Sequence, residues 1–356
     1  MRILSAFLCT ITLLLSTACG DGSSSNDRSQ PTVSQLSTEA PKLSILTYQY
    51  NTFEQQIVEE FEAETNIDVT VYLQPMKSII SAAQNGTIGG DLVFFPTLED
   101  AVRLRNFEVL QPFFVESFSD GTVDDRYVDN EGYYAGLRRW SMVAVYNFRQ
   151  VAEDEVNSYL SLVKAPERGL KIGVAHPDSS GLAGIVSGLY RVVNPQAAAL
   201  WTKTLNDRIF GPMSGNDYDQ LERLKNGEID IALVSVGALL RWTWGGNPEN
   251  QAAADNWQAR YPKTQTGDFN FVNISGVSLL AGAPNRSAAS RFIDFLYQQD
   301  NQEKLGNYYK EFPTQVFAIP SEFILGLKGA PGREVTVDQL EENIPQAWAI
   351  INNLNQ

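Results

Sequence analysis

Two rhythms of apolar and polar positions alternate along this chain from residue 43 onward. Leu43–Thr47 is apolar enough for a buried strand, and Phe53, Ile57, Val58 and Phe61 then recur at helical spacing with acidic residues opposite. Asp68–Leu73 alternates as a second strand, Lys77–Gln84 fits a helix, Asp91–Phe95 a third strand and Leu98–Phe107 another helix. Strands separated by helices predict parallel pairing through right-handed crossovers. Sheets of that kind take ligands beyond the carboxyl ends of their strands. That places Tyr48, Tyr50 and Asn51, just past the first strand, at the edge of a cleft, although aromatic residues there also serve plain packing.

The second half repeats the theme. Gly132–Asn147 ends in a strand, with Arg138 and Arg139 side by side in apolar surroundings. Such a pair needs partners, either a carboxylate or a bound anion. Residues 171–190, KIGVAHPDSSGLAGIVSGLY, predict a short strand at Lys171–Ala175, a tight loop, and a helix from Leu182 to Tyr190. A helix start carries unpaired N–H groups and attracts anions, so Ser179, Ser180 and Gly181 are candidates for an anion site. Asp178, Ser179 or Ser180 can equally be an ordinary N-cap. Pro195–Leu205 and Tyr218–Asn226 predict helices, Ile229–Val236 a buried strand, 245–268 a polar loop, and Phe269–Leu280 a long strand. Ala288–Gln298, Gln302–Tyr309 and Gln339–Leu354 carry apolar helical faces. Two α/β segments with long strands crossing between them predict two lobes joined by a hinge.

Charge and rare residues narrow the chemistry. The 27 Lys and Arg residues against 42 Asp and Glu give a net charge of −15, which argues against nucleic acid and anionic lipid as partners. Both cysteines, Cys9 and Cys19, lie at the start, and His176 is the single histidine. Thiolate metal sites and multi-histidine zinc sites are thereby excluded from the body. No internal repeat, Walker loop, dinucleotide glycine motif or zinc signature occurs.

The amino terminus has the grammar of export. Arg2 precedes an apolar run, Ile3–Leu15, and small residues lead to Ala18-Cys19-Gly20. The Ala-Cys pair resembles a bacterial lipobox, which makes residues 1–19 a lipoprotein signal with Cys19 as the lipidated residue, although Ser16 stands where Leu is usual. Residues 20–42 are Ser-rich and poor in apolar side chains, as expected of a tether.

A family resemblance now comes into view. In order, LSILTYQYNTFEQQIVEEFEAETNIDV, GLRRWSMVAVYN, KIGVAHPDSSG, LKNGEIDIALVSV, VNISGVSLLAGAPN and SRFIDFLYQQDNQEKL are similar to the periplasmic iron(III)-binding proteins of ABC importers, across nearly all of 43–320. The resemblance implies an α/β, two-lobed type II periplasmic-binding-protein fold with mixed, mainly parallel sheets and hinge crossovers. By analogy, lobe one spans 43–137 plus 273–318, and lobe two 138–272 plus 319–356. It also implies a bound iron(III) with a synergistic anion, held by a tyrosine pair just after the strand at Ile229–Val236. Those positions read Gly237 and Ala238 here, which offer no anionic oxygen to a hard cation. After the first strand the family's metal-site positions fall at Tyr50 and Asn51, so Tyr50 is the remaining candidate metal ligand. The family's anion loop matches Ser180 and Gly181, and its following asparagine matches Asn216 with a one-residue difference in spacing. Trp140 occupies the place of the family's arginine, with Arg139 adjacent, and Asn273, within the late strand, is a further candidate ligand-binding residue.

The combined expectation is a monomeric, lipid-anchored binding protein at the periplasm or outer face of the cytoplasmic membrane. It delivers a small ligand to an ABC permease by hinge closure, and it is not an enzyme. The residues favour a small anion over iron. A cation held by Trp140, Trp242 or Trp244 is a further option. A sensor subunit read by a membrane kinase is the alternative from another class, and a hydrolase is the third.

Overall fold

The computed structural model describes residues 41–264, 267, 271–327 and 336–355. The signal, the proposed lipidation site Cys19 and nearly all of the tether lie outside the described residues. No helix among the described residues is long and apolar enough to cross a membrane.

Ten strands form among the described residues: β1 (Lys42–Thr47), β2 (Asp68–Leu73), β3 (Leu92–Phe95), β4 (Leu110–Gln111), β5 (Ala135–Asn147), β6 (Ile172–Val174), β7 (Ile231–Ser235), β8 (Trp257–Arg260), β9 (Val272–Leu280) and β10 (Phe312–Pro313). The main path runs β2-β1-β3-β9-β5-β7-β6. β1 pairs in parallel with β2 and β3, and β6 with β7, as the alternation of strand and helix predicts. β9 joins antiparallel between β3 and β5. β5 is the long element that links the halves. Its residues Ala135–Ser141 pair with β9, and from Met142 onward it pairs with β7 on one edge and β8 on the other.

Each half has its own apolar core. Leu43, Ile45, Phe61, Phe292 and Ile293 pack in the first, and Val145, Ile185, Leu205, Leu221 and Leu233 in the second. The runs of β3, β5, β7 and β9 are continuous rather than alternating because helices cover both faces. The architecture is therefore the expected two-lobed α/β fold.

Two predicted segments differ. The polar stretch 245–268 holds a helix at Pro248–Ala254 and the edge strand β8. The terminal helix is split into Val337–Glu341 and Ile344–Asn352. Pro345 has no N–H to continue a helix but is suited to start one, so the chain turns at Glu342–Asn343. The first of these helices lies across the joint. Ser187 Oγ of the second half donates to Leu340 O at 2.5 Å, while Arg105 of the first half reaches Glu341 Oε1 at 2.6 Å.

Candidate functional site

The end of β1 turns sharply into a helix. Asn51 accepts from the N–H of Phe53 at 2.9 Å, and Glu54 returns the bond to the N–H of Asn51. Asn51 is thus an N-cap for helix Thr52–Thr65. Tyr50 packs against the first core, with burial and then Glu62, Glu59 and Glu54 raising its phenol pKa. Gln49 donates to Glu54 Oε1 at 3.0 Å and to the Tyr309 hydroxyl at 2.6 Å.

Tyr48 points towards a charged cluster that sequence reasoning did not assemble. Arg138 on β5 has a side chain only 6% exposed, and its Nε donates to Glu311 Oε2 at 3.0 Å. Its guanidinium lies 3.7 Å from the centre of the Tyr309 ring. Arg241, on helix Val236–Trp244 of the second half, reaches the other oxygen of Glu311 at 3.5 Å. Arg241 also donates to the Tyr309 carbonyl and, at 3.1 Å, to the Tyr218 hydroxyl. Two guanidinium groups therefore share one carboxylate, and the buried Asp217 carboxylate also lies within electrostatic reach of Arg241. Burial raises the Tyr48 phenol pKa, with Arg138 the main opposing influence.

Gly237 explains how the cluster fits. A Cβ at Gly237 would sit 2.8 Å from Glu311 Oε1 and 2.9 Å from Arg241 Nη1. Where the resemblance implies a tyrosine, this chain has placed an ion pair from elsewhere in the fold. The oxygen donors described at this point are the phenols of Tyr48, Tyr218 and Tyr309 and a carboxylate already held by two guanidinium groups.

The predicted anion loop lies elsewhere. A short turn, Pro177–Ser179, leads through Ser180 and Gly181 into helix Leu182–Val192. His176 Nδ1 accepts from the N–H of Asp178 at 3.2 Å. Trp140, held by its indole N–H on Ser275 Oγ at 3.0 Å, covers Gly181 so closely that a Cβ there would meet the ring at 2.9 Å. Glu99, from the first half and 2% exposed, accepts from the Gly184 N–H at 2.6 Å and from Asn273 Nδ2 at 2.7 Å. The helix start thus already meets a carboxylate, one supplied by the protein. Burial raises the pKa of Glu99 and pushes the neighbouring Asp100 to about 7. Ser180 is buried and its hydroxyl finds no hydrogen-bond partner among the described residues, whereas Ser179 is exposed.

The remaining candidates are dispersed. Asn216 caps helix Asp217–Lys225 through the N–H groups of Tyr218 and Asp219. Arg139 lies 4.6 Å from the Phe312 ring and 5.4 Å from the Tyr127 ring, on the far side from Arg138. The structure brings Trp140, Gly181 and Asn273 together, and Tyr48 and Gly237 together. Tyr50 lines a cavity together with Tyr48, Arg138 and Tyr309, whereas Asn216 is engaged as a helix cap. Arg138, Glu311 and Arg241 were missed as a set. The arginine pair signalled the first of them, while Glu311 carries no local signal.

Two lobes that share the crossing strand β5, with polar clusters where they meet, define a two-lobed binding protein of the type II periplasmic fold. The profile of the family described as bacterial extracellular solute-binding protein matches residues 45–320, and the chain belongs to that family. It is 23% identical over 305 residues to iron uptake protein A1 of Synechocystis sp. (strain ATCC 27184 / PCC 6803 / Kazusa), covering 85% of this chain and 84% of that one. It is 24% identical over 220 residues to an Fe(3+)-binding periplasmic protein of Serratia marcescens, covering 61% and 62%. Among solved structures, the iron- and citrate-bound protein of Trichodesmium superposes with a TM-score of 0.78 at 20% identity, over 88% of this chain and 99% of that one. The ferric binding protein of Campylobacter jejuni gives 0.79 at 19%, over 88% and 99%. These identities establish the fold. Family membership makes the chain a solute-binding protein of the extracellular class and not an enzyme.

Proposed function

We propose that this protein is a lipid-anchored receptor that captures a small anion between its lobes and presents it to an ABC permease as a monomer. The observation that carries the anion reading is the convergence of Arg138 and Arg241 on Glu311, with the space of a tyrosine at Gly237 consumed by that ion pair. Two relatives are named for iron; against iron(III) here stand the two guanidinium groups on Glu311 and the raised pKa of the Tyr48 phenol.

The lobes proposed are 43–137 with 273–318 and 138–272 with 319–356. The change of partner along β5 at Ser141–Met142 supports a hinge near the first boundary. Closure works by population shift: a ligand that touches both lobes favours the closed form, which the permease reads. Cys19 is the proposed lipid attachment, and the Ser-rich segment after it the tether.

The test is a thermal-melt screen of the mature protein against iron(III) with and without citrate, citrate alone, phosphate and aromatic carboxylates. A ligand of the native state raises the melting temperature by mass action. An organic anion is expected to do so, and iron(III) alone is not. A shift with iron(III) accompanied by a visible tyrosinate band would overturn the anion reading.

A further inference from the structure

A groove of about 640 Å³ opens between helix Val236–Trp244 and helix Gln299–Tyr309, one turn beyond the arginine cluster. From this groove we infer the class of ligand: an aromatic carboxylate, its carboxyl group on Arg241 and Lys310 and its ring between Trp244 and Tyr308. The inference rests on the anion-receptor reading and narrows it.

Charge is the first argument. The chain as a whole carries −15, yet Arg241, Lys304 and Lys310 line this groove with no carboxylate among its lining residues. Lys304 is partly neutralised by Glu60 at 2.7 Å. Arg241 is fixed in place by the Tyr218 hydroxyl, the Tyr309 carbonyl and Glu311. A guanidinium held in one orientation loses little entropy on gripping a carboxylate. Lys310 rests 4.3 Å from the Phe323 ring, and burial lowers its pKa.

Shape and surface are the second. Trp244 and Tyr308 keep 46% and 40% of their surface in water. Phe53 stacks on Tyr308 with centroids 4.2 Å apart and rings 6° from parallel, which braces that ring. Large aromatic faces left open on opposite walls of a basic groove suit a planar ring carrying negative charge. The volume matches an organic molecule and far exceeds a single metal ion or phosphate. The walls come from both halves of the fold, so the occupant bridges them.

The experiment titrates the mature protein with isophthalate, benzoate, cyclohexanecarboxylate and citrate, following tryptophan fluorescence and the melting temperature. Isophthalate and benzoate are expected to quench fluorescence and raise the melting temperature. Cyclohexanecarboxylate, with the same charge but no aromatic face, is expected to bind about tenfold more weakly. Trp244→Leu should remove the quench, and Lys310→Gln, which leaves the Arg138–Glu311 pair intact, should weaken isophthalate by about tenfold with an unchanged ligand-free melt. Citrate binding with isophthalate silent overturns the aromatic assignment while leaving the anion receptor standing. Isophthalate binding unaffected by both substitutions overturns the groove. Silence from all four probes overturns the groove and the anion receptor together.

Discussion

Replacing Glu99 by alanine tests whether a protein carboxylate takes the place of a bound anion at helix Leu182–Val192. The wild-type carboxylate accepts two hydrogen bonds, from the Gly184 N–H at 2.6 Å and from Asn273 Nδ2 at 2.7 Å, and is 2% exposed. Its loss strands both donors away from water. Each stranded donor costs about 1–3 kcal/mol, and the helix start loses a further contribution of about 0.3–1 kcal/mol. Burial of the carboxylate, which raises its pKa, is relieved in the variant and offsets part of this. A net loss of about 3 kcal/mol remains, equivalent to a fall in melting temperature of about 4 °C for a protein of this size. The decisive measurement is rescue. Melts are recorded in sodium acetate and in sodium chloride at equal ionic strength and mildly alkaline pH. Acetate at tenfold its dissociation constant should restore about 1.4 kcal/mol to Glu99→Ala and do nothing for the wild type at this position. A variant as stable as wild type, or one that acetate leaves unchanged relative to chloride, refutes the surrogate-anion argument.

Other consequences follow from the same contacts. Asp100, raised by burial from 3.8 to about 7, stays protonated in the native state over a range where the unfolded chain ionises. It therefore makes no difference below the unfolded pKa and costs stability as pH rises from about 4 to 7, up to about 4 kcal/mol. Asp100→Asn should flatten that pH dependence of the melt, and an unaltered profile would contradict the burial argument. Gly237→Tyr places a Cβ within 2.8 Å of Glu311 Oε1. It should destabilise by about 1–3 kcal/mol through overpacking, with no iron(III)–tyrosinate band appearing in the visible spectrum. Arg138→Met leaves buried Glu311 with the more distant Arg241 alone and should cost about 3–5 kcal/mol, much of which Arg138→Met with Glu311→Leu should recover. A double-variant loss equal to the sum of the losses in Arg138→Met and Glu311→Leu, measured by urea denaturation, would show that the pair is not coupled.

Much of the fold was legible because local rhythm and tertiary burial agree. The alternation over Asp68–Leu73 coincides with β2, and the apolar spacing of Phe53, Ile57, Val58 and Phe61 marks the buried face of its helix. The misses have physical causes. Val337, Leu340, Ile344, Ala347 and Ile351 keep helical spacing across a break, since all five face one core and only Pro345 announces the restart. In 245–268, polar residues dominate because β8 is an edge strand with one face towards solvent, and the alternation of Trp257, Ala259 and Tyr261 was the signal available.

The site was legible in proportion to how local its parts are. The resemblance located the strand-end positions and the helix start, since each belongs to one short segment. Period-two geometry implied that one of Arg138 and Arg139 turns inward, but nothing nearby said which. The structure turns Arg138 in because Glu311 waits beside β10, which pairs Pro313 with Arg138 and Phe312 with Arg139. That partner is 173 residues away in sequence, and no window of local pattern reaches it. Gly237 is legible only once this is known. As an isolated departure it looks like a lost metal ligand. Beside Glu311 and Arg241 it is the vacancy that lets two arginines and a carboxylate enter the place expected for a phenolate. On the proposed anion reading, the local charge changes with it, from the donors that the resemblance implies to two guanidinium groups around one shared carboxylate. A substitution at Gly237 alone leaves both guanidinium groups in place. On that reading iron(III) binding by Gly237→Tyr should require removing Arg138 and Arg241 as well, and an iron(III)–tyrosinate band in Gly237→Tyr alone would refute the charge argument.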